Sequence, residues 1–240
     1  MAKIKTGDLV MFFYNDSKKW LLKITKKEQF HSHIGVIKHA DAIGKEFGSR
    51  LTTNKDKYVY LLKPTIHDHV MKMQHSTQIV YPKDFGYIAA RMGVQSGQKI
   101  LEIGTGSGSL TTFLASIVNP RGHVYTFDVE PKFMEIAEKN IKKAGMSKYV
   151  TMHEMNLKKS KKMPLEEMDL AIIDLGDPWE VLPQVRKMLK SSGSVVAICP
   201  TMNQLEKLSA AFVENEFTAN HDFSDASHHI KSLTELHKLF

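Results

Sequence analysis

Five acidic or amide side chains and one glycine loop carry the chemistry of this sequence. The run Ile100-Leu101-Glu102-Ile103-Gly104-Thr105-Gly106-Ser107-Gly108-Ser109-Leu110 drives an apolar strand into a glycine-rich turn and straight into a helix. Such a junction receives something polar. Backbone N–H groups converge, the helix N-terminus adds partial positive charge, and missing Cβ atoms permit close approach. The spacing is G-x-G-x-G. A dinucleotide fingerprint needs G-x-G-x-x-G, and a P-loop needs a G-K-[ST] ending that is absent here. Asp128 lies about 20 residues past the last glycine of the loop, where a carboxylate can take both hydroxyls of a ribose. A ribose site beside a loop without pyrophosphate spacing fits an adenosine cofactor that has no pyrophosphate, such as S-adenosylmethionine. Asn156, Asp174 and Asp177 follow at the ends of later apolar runs.

These residues need a frame. From Lys99 onward strand-like runs alternate with helical ones: a helix near Ser107–Val118, a strand at His123–Phe127 ending on Asp128, and a helix from Pro131 stopped at Gly145. Strands then follow at Tyr149–His153 and Met168–Leu175, a helix at Trp179–Leu189, a strand at Gly193–Cys199 and a helix at Met202–Val213. Alternation of this kind predicts a mostly parallel sheet covered on both faces, with ligands at the carboxyl ends of its strands. The first 64 residues differ. Leu9–Tyr14, Trp20–Ile24, His33–Ile37 and Tyr58–Leu62 are short apolar runs between Gly, Asn, Asp and Ser, which predicts a small all-β domain. Residues 65–84 read as a linker with a short helix, then an extended segment ended by Pro82, with Asp84 placed to cap the next helix. The expected architecture is α/β: a Rossmann-like domain over 85–240 behind a small β domain over 1–64.

Composition sets outer bounds. In 240 residues, 33 Lys and Arg against 26 Asp and Glu leave a formal charge of +7, which suits a polyanionic partner better than an acidic one. The single cysteine, Cys199, excludes a disulfide framework and a cysteine-based metal site. His31, His33 and His39 alternate without carboxylate support and read as surface or packing residues, so no metal is expected. No apolar run approaches membrane-spanning length and the first residues carry no signal-peptide pattern, which reads as cytoplasmic. Lys158-Lys159-Ser160-Lys161-Lys162 reads as a solvated basic loop or a phosphate contact.

Three further motifs narrow the reading. Thr77-Gln78-Ile79-Val80-Tyr81-Pro82-Lys83-Asp84, the glycine loop, Asp174-Leu175-Gly176-Asp177-Pro178-Trp179 and Pro200-Thr201-Met202-Asn203-Gln204 occur in the order seen in the tRNA (adenine-N1) methyltransferases, a family that this chain resembles from Gly7 to about Glu214. The beginning, including Phe30-His31-Ser32-His33-Ile34-Gly35, is similar to that family's small N-terminal domain. The resemblance implies a class I S-adenosylmethionine-dependent enzyme acting on the T-loop adenosine of tRNA at position 58, in archaea also 57, with S-adenosylhomocysteine as the product. It also implies a homotetramer and residue roles. Glu102, Ser107, Gly108, Ser109 and Leu110 would surround the methionine part, beside the backbone of Gly104, Thr105 and Gly106. Gln78, Val80 and Tyr81 would close over it, Asp128 would take the ribose, and Asn156 and Leu157 would flank the adenine. Asp174 would be the catalytic residue, facing the flipped-out base.

The chain also departs from the family's pattern. His75 stands near a position often held by arginine, Asn156 where many members have aspartate, and Ile198 near a usual tyrosine. Phe217 to Phe240 lacks the Arg-Pro and Gly-His-Thr elements of the family's closing strands. Trp179 reads equally as packing or as a stacking surface. The competing readings are a non-catalytic RNA-binding partner subunit and a class I methyltransferase for another substrate. The retained glycine loop and Asp174 oppose the first, and the Asp-x-x-x-Pro-Trp motif with the β domain opposes the second. The glycine spacing disfavours a nicotinamide-dependent dehydrogenase.

Overall fold

Short runs of apolar and aromatic residues build the first part of the chain into strands, and the in–out alternation is clear in two of them. Leu51 is buried between Arg50 and Thr52, and Val59 and Leu61 are buried between Tyr58, Tyr60 and Leu62. A computed structural model describes residues 2–75, 80–160, 167–223 and 232–238, with side chains described as far as Phe217. It divides into two compact units, Met1–Lys72 and Met73–Phe240. In the first unit β1 (Leu9–Asn15), β2 (Lys18–Lys23), β3 (Gln29–Ser32), β4 (Gly35–Lys38), β5 (Arg50–Thr52) and β6 (Tyr58–Leu62) precede the short helix α1 (Ile66–Met71). The antiparallel sheet runs β2-β1-β6-β5, and β3 and β4 form a separate hairpin. Val10, Phe12, Ile24, Val59 and Leu61 are fully buried between them. The run His33–Ile37 is not one strand as expected. The hairpin turns at His33 and Ile34, and Gly35 (φ +121°) takes a conformation other residues resist. The three histidines divide between packing and surface: His39 is buried and its Nδ1 accepts from the Thr25 N–H at 3.4 Å, whereas His31 and His33 are exposed.

The second unit opens with α2 (Pro82–Arg91) and β7 (Lys99–Ile103). After them come α3 (Ser109–Val118), β8 (His123–Asp128), α4 (Pro131–Lys143), β9 (Val150–Glu154) and β10 (Met168–Ile173). It closes with α5 (Leu182–Met188), β11 (Leu189–Cys199), α6 (Met202–Glu214), β12 (Phe217–Phe223) and β13 (Ser232–Lys238). Seven strands lie in the order β12-β13-β11-β10-β7-β8-β9. The five from β9 to β11 are parallel, while β13 and β12 add antiparallel. The chain winds outward from β7 to β9 and then returns to β10 on the other side of β7. The strand order therefore reverses between β7 and β10, and the carboxyl ends there form the crevice of a doubly wound fold. Strands covered on both faces are almost wholly apolar, and Ile100, Leu101, Ala171, Ile172, Ile173, Val195 and Ala197 are fully buried.

Local chemistry moved three boundaries. Asp84 does not cap α2: Tyr81 occupies the cap and Pro82 the first turn, where its missing N–H costs nothing, so Asp84 lies inside that turn. The expected helix from Trp179 is a 3-10 turn at Pro178–Val181 followed by α5, each with a proline near its start. The strand expected at Gly193 begins at Leu189. The sheet is finished by β13, whose residues Ser232–His237 register against Cys199–Ser194, and then by β12, without the family's closing motifs. Among the described residues no helix is long and apolar enough to cross a membrane.

Candidate active site

The glycine loop leaves β7 in a conformation that its neighbours enforce. Gly104 has φ +103°, and a Cβ there would run into the Asp174 carbonyl oxygen. The close pairing of β7 and β10 at their ends, with the Asp174 N–H donating to the Ile103 carbonyl at 2.8 Å, thus requires glycine. Gly108 (φ +76°) is the N-terminal cap of α3, and a Cβ there would press on Ala137 of α4 at 3.1 Å. The loop is then pinned from three sides. Asp128 at the end of β8 accepts from the Gly106 N–H at 2.9 Å through one oxygen, and from the Val129 and Glu130 N–H groups at 2.8 and 3.1 Å through the other. The Thr105 and Thr126 hydroxyls are bonded at 2.7 Å. Asn140 of α4 donates to the Ser107 carbonyl at 2.8 Å.

Beneath the loop lies Glu102, 1% exposed. Thr111 donates to its Oε2 at 2.5 Å, while Oε1 has no partner, and neither has the buried Ser107 hydroxyl. Burial pushes this carboxyl up to about 8 from its ordinary 4.5; hydrogen bonding from Thr111 and Thr126 pulls it down, and the charges of Asp174 and Asp128 add to the rise. Two unpartnered buried polar atoms beside the carboxyl groups of Glu102, Asp128 and Asp174 make a candidate receptor for a hydrogen-bonding group. Ser109 and Leu110, also buried, start the helix behind it.

Next to this receptor a cavity of about 200 Å³ opens at the strand ends, lined among others by Ile103, Phe127, Asp128, Asn156, Leu157 and Leu175. Asn156 Oδ1 accepts from the Lys158 N–H at 3.0 Å and so caps the turn that places buried Leu157 in the wall. Lys158 closes one side through Glu180 at 2.7 Å and Asp177 at 3.6 Å, which occupies the first cation of the basic loop; Lys161 and Lys162 lie outside the described residues. Asp174, half-buried, ends β10 against the glycine loop. The loop after it is held from α6, where Thr201 and Gln204 form a capping box and the Gln204 amide donates to the Gly176 carbonyl at 2.8 Å. Trp179 packs on the core beneath, with Lys207 Nζ 5.2 Å from its ring centroid.

Glu102, the glycine loop, Asp128, Asn156, Leu157 and Asp174 therefore converge on one crevice. Val80 is buried and Tyr81 half exposed at the cap of α2, and Gln78 lies outside the described residues. The sequence reading missed Asn140. Its Nδ2 also donates to the Gln74 carbonyl at 2.9 Å, and its Oδ1 accepts from the Gln74 N–H at 3.3 Å. The available signal was a lone amide in the apolar stripe Ile136-Ala137-Ile141 of α4, a polar residue that burial must satisfy.

Residues 57–226 match the family model described as tRNA methyltransferase complex GCD14 subunit. The chain belongs to this family. The tRNA (adenine(57)-N(1)/adenine(58)-N(1))-methyltransferase TrmI of Methanocaldococcus jannaschii is 30% identical over 230 residues, covering 86% of this chain and 80% of that one. The catalytic subunit TRM61 of the tRNA (adenine(58)-N(1))-methyltransferase of Cryptococcus neoformans is 32% identical over 85% of this chain, which spans about half (48%) of that longer subunit. Among solved structures, the tRNA (m1A58) methyltransferase TrmI of Aquifex aeolicus covers all of both chains at 28% identity with a TM-score of 0.80. A SAM-dependent O-methyltransferase from Thermotoga maritima aligns over 99% of this chain and 95% of its own at 27% identity, TM-score 0.87. The GCD14-family fold is thus the class I S-adenosylmethionine-dependent methyltransferase sheet, here with an N-terminal antiparallel β region. S-adenosylmethionine is its methyl donor and S-adenosylhomocysteine its product.

Proposed function

We propose that this protein transfers a methyl group from S-adenosylmethionine to N1 of a T-loop adenosine in tRNA, with Asp174 as the catalytic residue. The observation that carries the reading is the place of Asp174, at the crevice end of β10 and against the loop that receives the donor. Glu102 and Ser107 would hold the donor's amino-acid end, Asp128 its ribose, and Asn156 with Leu157 its adenine, with Gln78, Val80 and Tyr81 covering it. The fit is supported by the orphaned Glu102 Oε1 and Ser107 Oγ and by the cavity beside them. Bound there, the donor supplies an electrophilic methyl group.

Adenine N1 already carries an in-plane lone pair, so no strong base is required. What the protein must do is extract the base from the folded T-loop and align N1 with the methyl group. A carboxylate at Asp174 accepts from the exocyclic N6 amine, fixing the base edge. It also faces the positive charge that develops on the ring as the bond forms. In this reading residues 65–84 link the two parts of the chain and end in the covering segment, and the enzyme assembles as a homotetramer in the cytoplasm.

The test is incubation with labelled S-adenosylmethionine and an unmodified tRNA transcript, followed by nuclease mapping. Label in 1-methyladenosine at position 57 or 58 is expected. Intact donor binding without 1-methyladenosine refutes the reading in favour of a partner subunit.

A further inference from the structure

The charge of this chain is divided between its two units. Met1–Lys72 contains 14 of the 33 Lys and Arg but 7 of the 26 Asp and Glu, so the whole formal excess of +7 falls there. Met73–Phe240, with the crevice, has 19 of each and is formally neutral. Long-range attraction for a polyanion therefore originates in the small β unit.

That unit also exposes aromatic rings in an ordered array. Along β6, Val59 and Leu61 are fully buried, while Tyr58 (50% exposed), Tyr60 (43%) and Leu62 (37%) all point the other way. Isolated exposed apolar residues are ordinary, but three on consecutive outward positions of one strand are not. Arg50 on β5 registers against Tyr60 and lies over the Tyr58 ring at 4.3 Å from its centroid. On the other side Phe13 of β1 pairs with Tyr60 and with Lys19 of β2, so the row across the sheet reads Lys19-Phe13-Tyr60-Arg50. The exposed Lys57 and Lys63 bracket the strand, and the stretch Arg50–Lys63 holds four cations against one acid, Asp56.

We propose that the outward face of β5 and β6 is a docking platform for unstacked nucleotides of the tRNA substrate, with Tyr58 and Tyr60 stacking on bases and Arg50, Lys57 and Lys63 meeting phosphates. Flat aromatic rings on an open sheet, interleaved with cations, are the chemistry by which sheets bind single-stranded RNA segments. Arg50 over Tyr58 holds one ring flat and offers a second planar surface. A protein partner would need a drier surface with fewer cations at its centre. The platform recognises RNA without taking part in methyl transfer, and it rests on the reading of tRNA as substrate.

The experiment measures binding of the full chain to an unmodified tRNA transcript by fluorescence anisotropy without methyl donor, for wild type, Tyr58→Ala/Tyr60→Ala and Tyr58→Phe/Tyr60→Phe. Each lost stack corresponds to about a tenfold loss of affinity. The double alanine variant is therefore expected to bind at least tenfold more weakly, the double phenylalanine variant within about threefold of wild type, and S-adenosylmethionine affinity to be unchanged in both. Lys57→Ala/Lys63→Ala should lower the slope of log affinity against log salt. A folded double alanine variant with wild-type tRNA affinity overturns the proposal. A changed oligomeric mass at wild-type RNA affinity does so too, making the face an interface between copies. Weakened tRNA binding in a protein that forms no 1-methyladenosine upholds the platform while the proposed reaction fails.

Discussion

Glu102→Gln isolates the electrostatic cost of burying the carboxyl group beneath the glycine loop. In the folded chain the buried carboxyl holds its proton up to about pH 8, while in the unfolded chain it ionises near its ordinary 4.5. Because the folded value is the higher one, the contribution of Glu102 to stability is complete below pH 4.5. It declines as the pH rises and is gone above about 8. Between those limits the unfolded chain is ionised and the folded one is not, so stability falls by about 1.4 kcal/mol per pH unit. From pH 5 to pH 7.5 the loss is about 3 kcal/mol, a large part of a typical domain's margin. Glutamine preserves the shape and cannot ionise, so this slope disappears. The assay is urea unfolding of wild type and Glu102→Gln at pH 5, 6, 7 and 7.5, taking the difference in unfolding free energy at each pH so that groups common to both proteins cancel. The variant should gain on the wild type steadily with pH. Parallel profiles would mean that Glu102 is ionised in the free protein and that burial does not dominate its environment.

Two further substitutions separate chemistry from positioning. Asp174→Ala should lower turnover by about two orders of magnitude or more, the scale of a lost electrostatic stabiliser, with donor affinity changed far less. Isothermal titration with S-adenosylmethionine beside single-turnover methylation checks this, and collapsed donor binding with normal turnover per bound donor would reassign the residue. Asn140→Ala removes the amide that joins Gln74 to the Ser107 carbonyl, leaving that buried carbonyl unpaired at a cost of about 1–3 kcal/mol. It should weaken donor binding at least fivefold with kcat at saturating donor largely kept, and Asn140→Asp, which keeps the acceptor but loses both donors, should not restore it.

How much of this was legible depends on how local the cause is. The glycine loop, Asp128 and Asp174 were readable because a strand, a turn and a helix in direct succession dictate where a carboxylate at the strand end must point. The Pro-Thr-x-x-Gln motif was legible as a pattern but not as a mechanism. Its reason is Gln204 reaching back to Gly176, a bond spanning 28 residues that only the assembled sheet creates. Asn140 was invisible for the same reason, since its partners Gln74 and Ser107 are 66 and 33 residues away. In the β unit, β5 is three residues long and carries Arg and Thr outward, too short to show a period. The closing strands were obscured by motif expectations: β13 pairs with the edge of β11 and β12 with β13 through backbone ladders, which do not require the family's particular side chains.

The division of charge shows the limit of whole-chain composition as a guide. A formal +7 over 240 residues is a weak statement about partners, since it is diluted by a neutral catalytic half. Assigned to 72 residues it becomes a strong one, and the boundary that concentrates it is a structural fact. The neutrality of Met73–Phe240 belongs to that unit as a whole, and the acidic groups Glu102, Asp128 and Asp174 gather at its strand ends. In the proposed reaction the donor brings a positive charge and the methylated base acquires one, so Asp128 and Asp174 are better left uncancelled by nearby lysines. A cation bound beside the protonated Glu102 would favour its ionisation. Among the described residues that line the cavity, the lysine is Lys158, tied to Glu180 and Asp177. In the proposed reading, attraction for RNA is supplied by the basic β unit, whose excess charge is absent from the formally neutral unit that carries these acidic groups.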